Sequence, residues 1–428
     1  MTATGVHGPL AEGHRAIAVL VALFTAAVFL STAATNILAG VLTLVAAVQW
    51  ARYKPWWLLR QPIALACIAF FGWLLLREAL DGELGREALQ AVNQFRPLLF
   101  LVLWAPLFMA VRHRRAAVAA TLAGLLLFMV TALAGWATSG RVFYPLAGIP
   151  YPWSLPPVLD ALAFRFFDRA PDLAGPVLLL TIFGTLQLAL DERRWRWLLV
   201  FALLGTAVLF AATARKSSQL VFLACAALFL FHRLRPVSLR GRLGWALAVL
   251  ALAGSLAMLP VVRSGAQRVW TESVQTLSTP AQQRAQVGTS SGLRIMYWEI
   301  ALQVVQSAPW LGTGESQYRQ RFLAQADAMG GIRYRHANPH NEYLHVAGSL
   351  GAIGLVLYLA VHAAAAVQAG RLASPAQRRI LAYYLVAALL TAVANSQVID
   401  MVPGHFHALA LLVLGWFAWD RRAPEEPA

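Results

Sequence analysis

Apolar stretches of near membrane-crossing length recur along most of this 428-residue chain. A helix needs about 20 predominantly apolar residues to cross the hydrocarbon core of a bilayer. The composition agrees, because 59% of the residues are hydrophobic and only 13% are charged, which excludes an ordinary soluble domain. About 12 stretches fit this description: Ala16–Thr32, Asn36–Trp50, Pro62–Leu76, Pro97–Val111, Ala116–Trp136, Gly175–Leu190, Trp197–Ala212, Gln219–Phe231, Leu243–Val262, Leu344–Val367, Ile380–Ala394 and Phe406–Trp419. The sequence therefore predicts one all-α integral membrane domain, residues 1–428, with about 12 transmembrane helices.

The distribution of charge predicts how these helices are oriented. If the N-terminus is cytoplasmic and the helices alternate, the cytoplasmic loops hold 19 of the 35 Lys and Arg residues and a net charge of +13. The opposite face then has a net charge of only +3. Short basic loops mark the cytoplasmic side, so both termini are expected there. The overall charge of +16 therefore reports membrane topology, and no nucleic-acid partner is expected.

Two local features bear on this arrangement. The first apolar run ends in Ser31-Thr32-Ala33-Ala34, as a cleaved signal peptide could, although its length favours a first transmembrane helix. Cys67 and Cys225 both fall inside apolar stretches, where small buried thiols are common. We therefore expect neither a disulfide framework nor a thiolate metal site.

Two long polar segments lie on the non-cytoplasmic face in this arrangement. The first, residues 137–174, is rich in proline and aromatic residues, which usually mark the membrane interface; a sugar-stacking surface is the alternative. The second, residues 263–343, holds eight arginines and lies between the ninth and tenth apolar stretches. Its first part, residues 267–291, has no apolar period and is predicted to be a loop.

The second polar segment is predicted to contain an amphipathic helix on the membrane surface. Apolar residues recur there at helical spacing: Leu293, Met296, Tyr297, Ile300, Ala301 and Val304. Ser290 or Ser291 can cap the start of this helix, and Pro309 ends it. Arg294 falls in its first turn, off the centre of the apolar stripe. It is either an ordinary solvated arginine or a group directed toward a site.

The end of this polar segment, residues 335–345, contains three histidines, two asparagines and a glutamate beside an apolar helix. Polar and titratable groups are costly at a membrane unless they line a site. Histidine is the side chain most easily used as a proton acceptor near neutral pH. His340 is the best candidate, because the preceding proline keeps the chain before it out of a helix; His336 and His345 are weaker candidates. The alternative is a capping cluster, in which Asn341 caps the helix and the histidines are merely interfacial.

A pair of cations separates two apolar stretches near the middle of the chain. Arg215 and Lys216 lie in the turn Thr213–Ser218, on the face that the positive-inside rule leaves poor in cations. Snorkelling toward lipid phosphates explains one such cation. Two cations beside hydroxyl groups suit a phosphorylated ligand better, because an arginine fork binds phosphate oxygens and keeps its charge.

Four motifs, in this order, resemble the O-antigen ligase and polymerase superfamily. They are Thr213-Ala214-Arg215, the helix around Arg294 to Trp298, Ala308-Pro309-Trp310-Leu311-Gly312-Thr313-Gly314, and His340-Asn341-Glu342-Tyr343-Leu344 followed by Gly348-Ser349-Leu350-Gly351. The resemblance implies a site on the periplasmic face of the bacterial inner membrane that moves a glycan from undecaprenyl diphosphate to an acceptor. It also implies that residues 263–343 form a periplasmic segment of loop and helix.

The resemblance assigns roles to individual residues. It implies that Arg215 and Arg294, with the neighbouring Lys216, bind the diphosphate and that His340 is the catalytic base. The residues expected to support this site are Asn341, Glu342, Tyr343 and His345. Two arginines can stabilise a departing diphosphate without a metal, and no Asp-x-Asp motif occurs on the outer face. We therefore expect no cofactor, no metal, and inversion by a single in-line displacement.

Three activities are compatible with this resemblance. A ligase would deliver O-antigen to the lipid A-core oligosaccharide, in contact with membrane lipids, and this is the favoured activity. A polymerase usually carries paired Arg-x10-Gly motifs, and only Arg319 to Gly330 has that spacing here. A protein O-glycosylating relative usually has an added C-terminal domain, whereas few residues follow Trp419. A solute transporter is the rival from another class, but transporters place their polar groups near the bilayer midplane.

Overall fold

A computed structural model of the protein describes residues 14–83, 85–137, 175–212, 216–234, 260–280, 289–329 and 338–417, and isolated positions between 238 and 258. These residues form helices joined by turns, and no strand occurs among them. The helices before residue 138 are α1 (Arg15–Leu30), α2 (Thr32–Tyr53), α3 (Pro62–Leu80), α4 (Arg86–Gln94), α5 (Arg96–Leu103), α6 (Ala105–Phe108) and α7 (Val111–Ala137). The later helices are α8 (Pro176–Asp191), α9 (Leu199–Ala207), α10 (Lys216–Leu234), α11 (Pro260–Ser278), α12 (Ser290–Ser307), α13 (Glu315–Ala328), α14 (Glu342–Leu372), α15 (Pro375–Thr391) and α16 (Met401–Leu411).

Four of the described helices are long and apolar enough to cross a membrane: α2, α3, α7 over Val111–Val130, and α14. Four shorter apolar helices accompany them, namely α1, α8, α10 and α16. On α2 the side chains of Ile37 and Leu44 stay exposed while Leu42 is buried, as expected of a helix with one face toward lipid. The all-α architecture agrees with the prediction and with a membrane protein. The total of about 12 spans and their orientation stay predictions.

The apolar stretch predicted over Pro97–Val111 is divided in the structure. Helix α5 ends at Leu103, and Trp104 separates it from the short helix α6, in which Pro106 stands in the first turn. A proline is favoured at the start of a helix, where it has no hydrogen bond to lose. Trp104 fills the space at this break, because its ring is buried and stacks on Phe100 with ring centroids 4.1 Å apart.

The prediction of a loop over residues 267–291 is wrong for its first part, because α11 extends to Ser278. This helix is polar. The side chain of Thr276 is buried in it, and its hydroxyl group donates to the carbonyl of Glu272. The Glu272 carboxylate accepts the backbone N–H of Ser291 at 3.3 Å, at the start of the next helix. Contact with α12 therefore stabilises α11, although no periodic pattern of apolar residues predicted this helix.

The amphipathic helix predicted after this segment is confirmed as α12. Five members of its apolar stripe are buried: Met296, Tyr297, Ile300, Ala301 and Val304. Four of them, all except Met296, form one buried cluster with Tyr318 and Phe322 of α13. The cap is Thr289 rather than either of the two following serines, since its hydroxyl accepts the N–H of Gly292 at 3.1 Å.

Helix α14 is sharply bent at Gly351, which has φ +70° and ψ −173°. The rings of Tyr343 and Tyr358 lie 6.4 Å apart, whereas residues at this spacing in a straight helix are about 22 Å apart along the axis. The first part, 342–350, therefore folds back beside the second. The second part, 352–372, rises by about 30 Å as a straight helix, enough to cross a hydrocarbon core. The sequence predicted that a membrane span begins almost directly after His340. In the structure the short helical part 342–350 comes first, and the part that is long enough to span follows the bend.

Candidate functional site

His340 lies in a tight turn immediately before α14. Its φ is +49°, in the left-handed region that residues with a side chain rarely adopt. Such a conformation costs about 1–3 kcal/mol and persists only where neighbouring contacts hold it. The Asn338 side-chain oxygen supplies one such contact, because it accepts the His340 N–H at 2.8 Å and the Ser396 hydroxyl at 3.0 Å. Asn341 supplies another by capping α14, as predicted: its side-chain oxygen accepts the Leu344 N–H at 3.1 Å.

The two residues after the cap join the His340 turn to the last turn of α15 and to the connection between α15 and α16. Glu342 is completely buried, and its carboxylate accepts the N–H groups of Gln397 at 2.6 Å and Val398 at 3.0 Å. The Tyr343 hydroxyl donates to the carbonyl of Leu389 at 2.6 Å. Both side chains therefore hold the backbone around His340 in place.

Arg294 lies on the side of α12 that approaches His340. The ring of Tyr297 is 6.0 Å from the His340 ring, and Arg294 stands one helical turn earlier on the same side. Its side chain is half-buried, and this burial lowers the pKa of Arg294 from its ordinary value. An arginine stays protonated in proteins, so α12 carries a fixed positive charge one helical turn from the residue that approaches the His340 ring. A nearby cation favours the neutral imidazole that a base requires.

The remaining predicted cations are only partly covered by the structure. Lys216 is the first residue of α10, but its side chain lies outside the described residues. Arg215 and His336 also lie outside them. The structure therefore places Arg294 on the helix whose Tyr297 ring approaches His340, and it does not test the other two cations. Among the described residues, no group of three His, Cys, Asp or Glu side chains could hold a metal ion.

The turn that links α12 to α13 is joined to α14 at its bend. The bend leaves the carbonyls of Gly348 and Ser349 without their usual helical donors. They accept instead the N–H groups of Thr313 and Gly314, each at 2.9 Å. In return the Pro309 carbonyl accepts the N–H of Ala352 at 2.9 Å. The two glycine-containing motifs thus complete each other's backbone hydrogen bonds.

Glycine is required on both sides of this joint. Gly312 has φ +74°, and a Cβ there would overlap the Ser349 carbonyl oxygen. Gly351 also has positive φ, and a Cβ there would overlap the Trp310 carbonyl. Only a residue without a side chain allows the two backbones to approach this closely. The motif residues Trp310–Gly314 and Gly348–Gly351 are therefore structural, and they set the position of the helix that follows His340.

The end of α3 braces the same joint, which the sequence did not indicate. The Arg77 Nε donates to the Gly312 carbonyl at 3.1 Å, and Arg77 pairs with Asp81 at 2.7 Å. Glu78 is buried and accepts the N–H of Glu315 at 2.7 Å, at the N-terminus of α13. A carboxylate at this end of a helix is favoured by the helix dipole. The only sequence signal was a cluster of charges at the end of an otherwise apolar helix.

The contact between His345 and Glu315 was also not predicted from the sequence. His345 is buried, and its Nε2 lies 3.0 Å from both carboxylate oxygens of Glu315. The ring of Tyr318 lies 4.5 Å from the His345 ring. These residues form one wall of a polar cavity of about 320 Å³, whose opposite wall is the α4 helix. Another cavity, of about 120 Å³, lies between α7, α8, α15 and α16 and is almost wholly apolar.

The four motifs and the His340 turn fall within a segment that is similar to a known protein family. Residues 199–359 match the O-antigen ligase family model. The matched segment begins at α9 and ends within α14 after the bend, so it contains all four motifs. The resemblance to the O-antigen ligase and polymerase superfamily is thereby confirmed for this part of the chain, which is less than half of it. A comparison with curated proteins finds no match.

Some elements that contact the matched segment lie outside it. Helices α3 and α4 precede it, and they supply Glu78 at the joint and one wall of the polar cavity. The connection between α15 and α16 follows it and supplies Ser396 and Val398 to the His340 turn. The site is therefore assembled from three separate regions of the chain.

Proposed function

We propose that this protein is an O-antigen ligase, a glycosyltransferase that moves O-antigen glycan from undecaprenyl diphosphate to the lipid A-core oligosaccharide. The site would lie on the periplasmic face of the bacterial inner membrane. The observation that carries the proposal is the His340 turn within the O-antigen ligase domain: a strained histidine beside the helix that bears Arg294.

His340 is proposed as the base in this reaction. It takes the proton from a hydroxyl group of the acceptor as that oxygen attacks the anomeric carbon of the glycan. The bond from this carbon to the diphosphate oxygen breaks, and its electrons leave with undecaprenyl diphosphate. One in-line displacement of this kind inverts the anomeric configuration. The imidazole is tethered through its backbone to Asn338 and Asn341, so its position does not depend on the substrate.

Arg294 is proposed to bind the departing diphosphate, together with Arg215 and Lys216. Charge on the diphosphate increases as the bond breaks, and a fixed guanidinium stabilises that charge more than it stabilises the bound donor. Burial of Arg294 supports this role, because a partly desolvated cation interacts more strongly with an anion than an exposed one does. Metal-independent catalysis follows from this use of cations and remains part of the proposal.

The rival within the superfamily is an O-antigen polymerase, which uses the same donor and a second glycan as acceptor. Complementation of a ligase-deficient strain, read as lipopolysaccharide ladders on a gel, separates the two activities. Restored ladders with a normal distribution of repeats are expected for a ligase. Conversion of single capped repeats into long chains in a polymerase-deficient strain would instead identify a polymerase.

A further inference from the structure

The polar cavity between α4 and α13 has the properties of a binding site. Its volume of about 320 Å³ is at the lower end of the ~300–1,000 Å³ that ligand pockets occupy. Gln90 and Gln94 line it from α4, and Glu315 and Arg319 line it from α13. Side-chain amides, carboxylates and a guanidinium together offer many donors and acceptors in one small space.

Two buried polar atoms in the cavity wall have no hydrogen-bond partner among the described residues. They are the Nδ1 of His345 and the hydroxyl of Tyr318, whose side chains belong to residues only 3% and 1% exposed. Buried polar atoms are nearly always paired, so these two side chains leave hydrogen-bonding capacity in the cavity wall that no described residue uses. Burial and the nearby Glu315 carboxylate hold the pKa of Tyr318 well above its ordinary value. Its hydroxyl therefore stays protonated and can donate.

The charges of the lining residues indicate the class of ligand. Two carboxylates, Glu87 and Glu315, accompany one arginine, Arg319, and His345, which offsets a carboxylate when it is protonated. The cavity therefore lacks the excess of positive charge that would select a diphosphate. Amide and carboxylate groups that converge in this way suit the hydroxyl groups of an uncharged saccharide, each of which both donates and accepts. The cavity and Arg294 therefore suit different parts of the reaction.

The cavity is connected to His340 through one residue. Asn338 lines the cavity, and its side-chain oxygen also accepts the His340 N–H at 2.8 Å. A ligand in the cavity would therefore lie beside the turn that carries the proposed base. We infer that this cavity binds a saccharide of the acceptor oligosaccharide, an inference that rests on the proposed transferase function. The Glu315–His345 pair is then a specificity-determining element that positions the acceptor.

The variants that test this inference are Arg319→Ala and Gln94→Leu in the full-length protein. Arg321→Ala is the matched control, because Arg321 lies on the same helix, is exposed, and contacts only its neighbour Gln317 among the partners identified. The probe is lipid-free core oligosaccharide released from lipopolysaccharide. Its binding is measured by titration calorimetry without donor, and its KM is measured with lipid-linked donor present.

We expect Arg319→Ala and Gln94→Leu each to weaken binding of the oligosaccharide about tenfold, as loss of a hydrogen bond or ion contact does. The KM for the acceptor should rise by the same factor, while the KM for the donor and the behaviour of Arg321→Ala should stay at wild-type values. Unchanged binding in both cavity variants, or no binding of the oligosaccharide to the wild-type protein, would overturn the inference. So would a rise in donor KM alone, which would place the donor glycan in the cavity. Binding without any transfer by the wild-type protein would refute the proposed function and leave the cavity assignment standing.

Discussion

Replacement of Gly351 by alanine should damage both the stability and the activity of the protein. The backbone at Gly351 has φ +70° and ψ −173°, a region that is essentially restricted to glycine and costs an alanine about 1–3 kcal/mol. The new Cβ would also overlap the Trp310 carbonyl oxygen, and forcing an added methyl group into a packed site costs about 1–3 kcal/mol. Together these terms predict a loss of about 2–6 kcal/mol, provided that they act independently.

The same substitution should move the His340 turn, which carries the proposed base. Just before Gly351, the carbonyls of α14 accept the N–H groups of Thr313 and Gly314, which precede α13. The same helix begins at the His340 turn, so a shift at Gly351 is transmitted to that turn. A shift of about 1 Å between reacting groups is enough to slow catalysis by about 100-fold. We therefore expect transfer to fall even in molecules that remain folded.

Gly370→Ala is the control for this prediction, because Gly370 lies in the same helix and a Cβ there would meet no described atom within 4 Å. Alanine in place of glycine inside a helix is favourable by about 1 kcal/mol, so this variant should match or exceed wild-type stability. Apparent melting temperature in detergent and glycan transfer are measured for both variants. Equal melting temperatures and equal transfer rates for the two would refute the argument that the bend requires glycine.

Four further outcomes are expected. Arg294→Ala should reduce transfer by about 100-fold or more without altering the elution profile of the protein, and Arg294→Lys should rescue it poorly because an ammonium lacks the planar fork; full activity of the alanine variant would make the residue a surface cation. His340→Ala should reduce transfer by about 100- to 10,000-fold yet retain donor binding, whereas loss of donor binding would make the histidine a diphosphate ligand. Glu342→Ala should lower stability by about 2–4 kcal/mol, measured by thermal unfolding, because two buried N–H groups lose their acceptor. Cysteines at Gln283 and Ser154 should react with an impermeant thiol reagent in intact cells whose outer membrane is permeable; labelling only after lysis of the inner membrane would reverse the orientation.

The sequence by itself determined the features that depend on neighbouring residues. Apolar stretches with few charges predicted an all-α membrane protein, because the backbone of a lipid-facing segment must satisfy its own hydrogen bonds. The stripe of apolar residues predicted α12, and Asn341 was recognised as a cap three residues before the N–H that it accepts. These interactions join residues that are close in the chain, so composition and spacing are enough to predict them.

Only the tertiary structure decided how the site is assembled. The apolar stretch after His340 reads as one continuous helix, and nothing in its spacing marks Gly351 as the residue with positive φ. The bend exists because the turn containing Gly312 occupies the freed carbonyls. Helix α11 and the contact from Glu78 to Glu315 likewise depend on partners far away in the chain. Such contacts join residues that are far apart in the chain, and they stabilise the fold only when distant segments pack together. The spacing of apolar residues within one segment therefore cannot predict them.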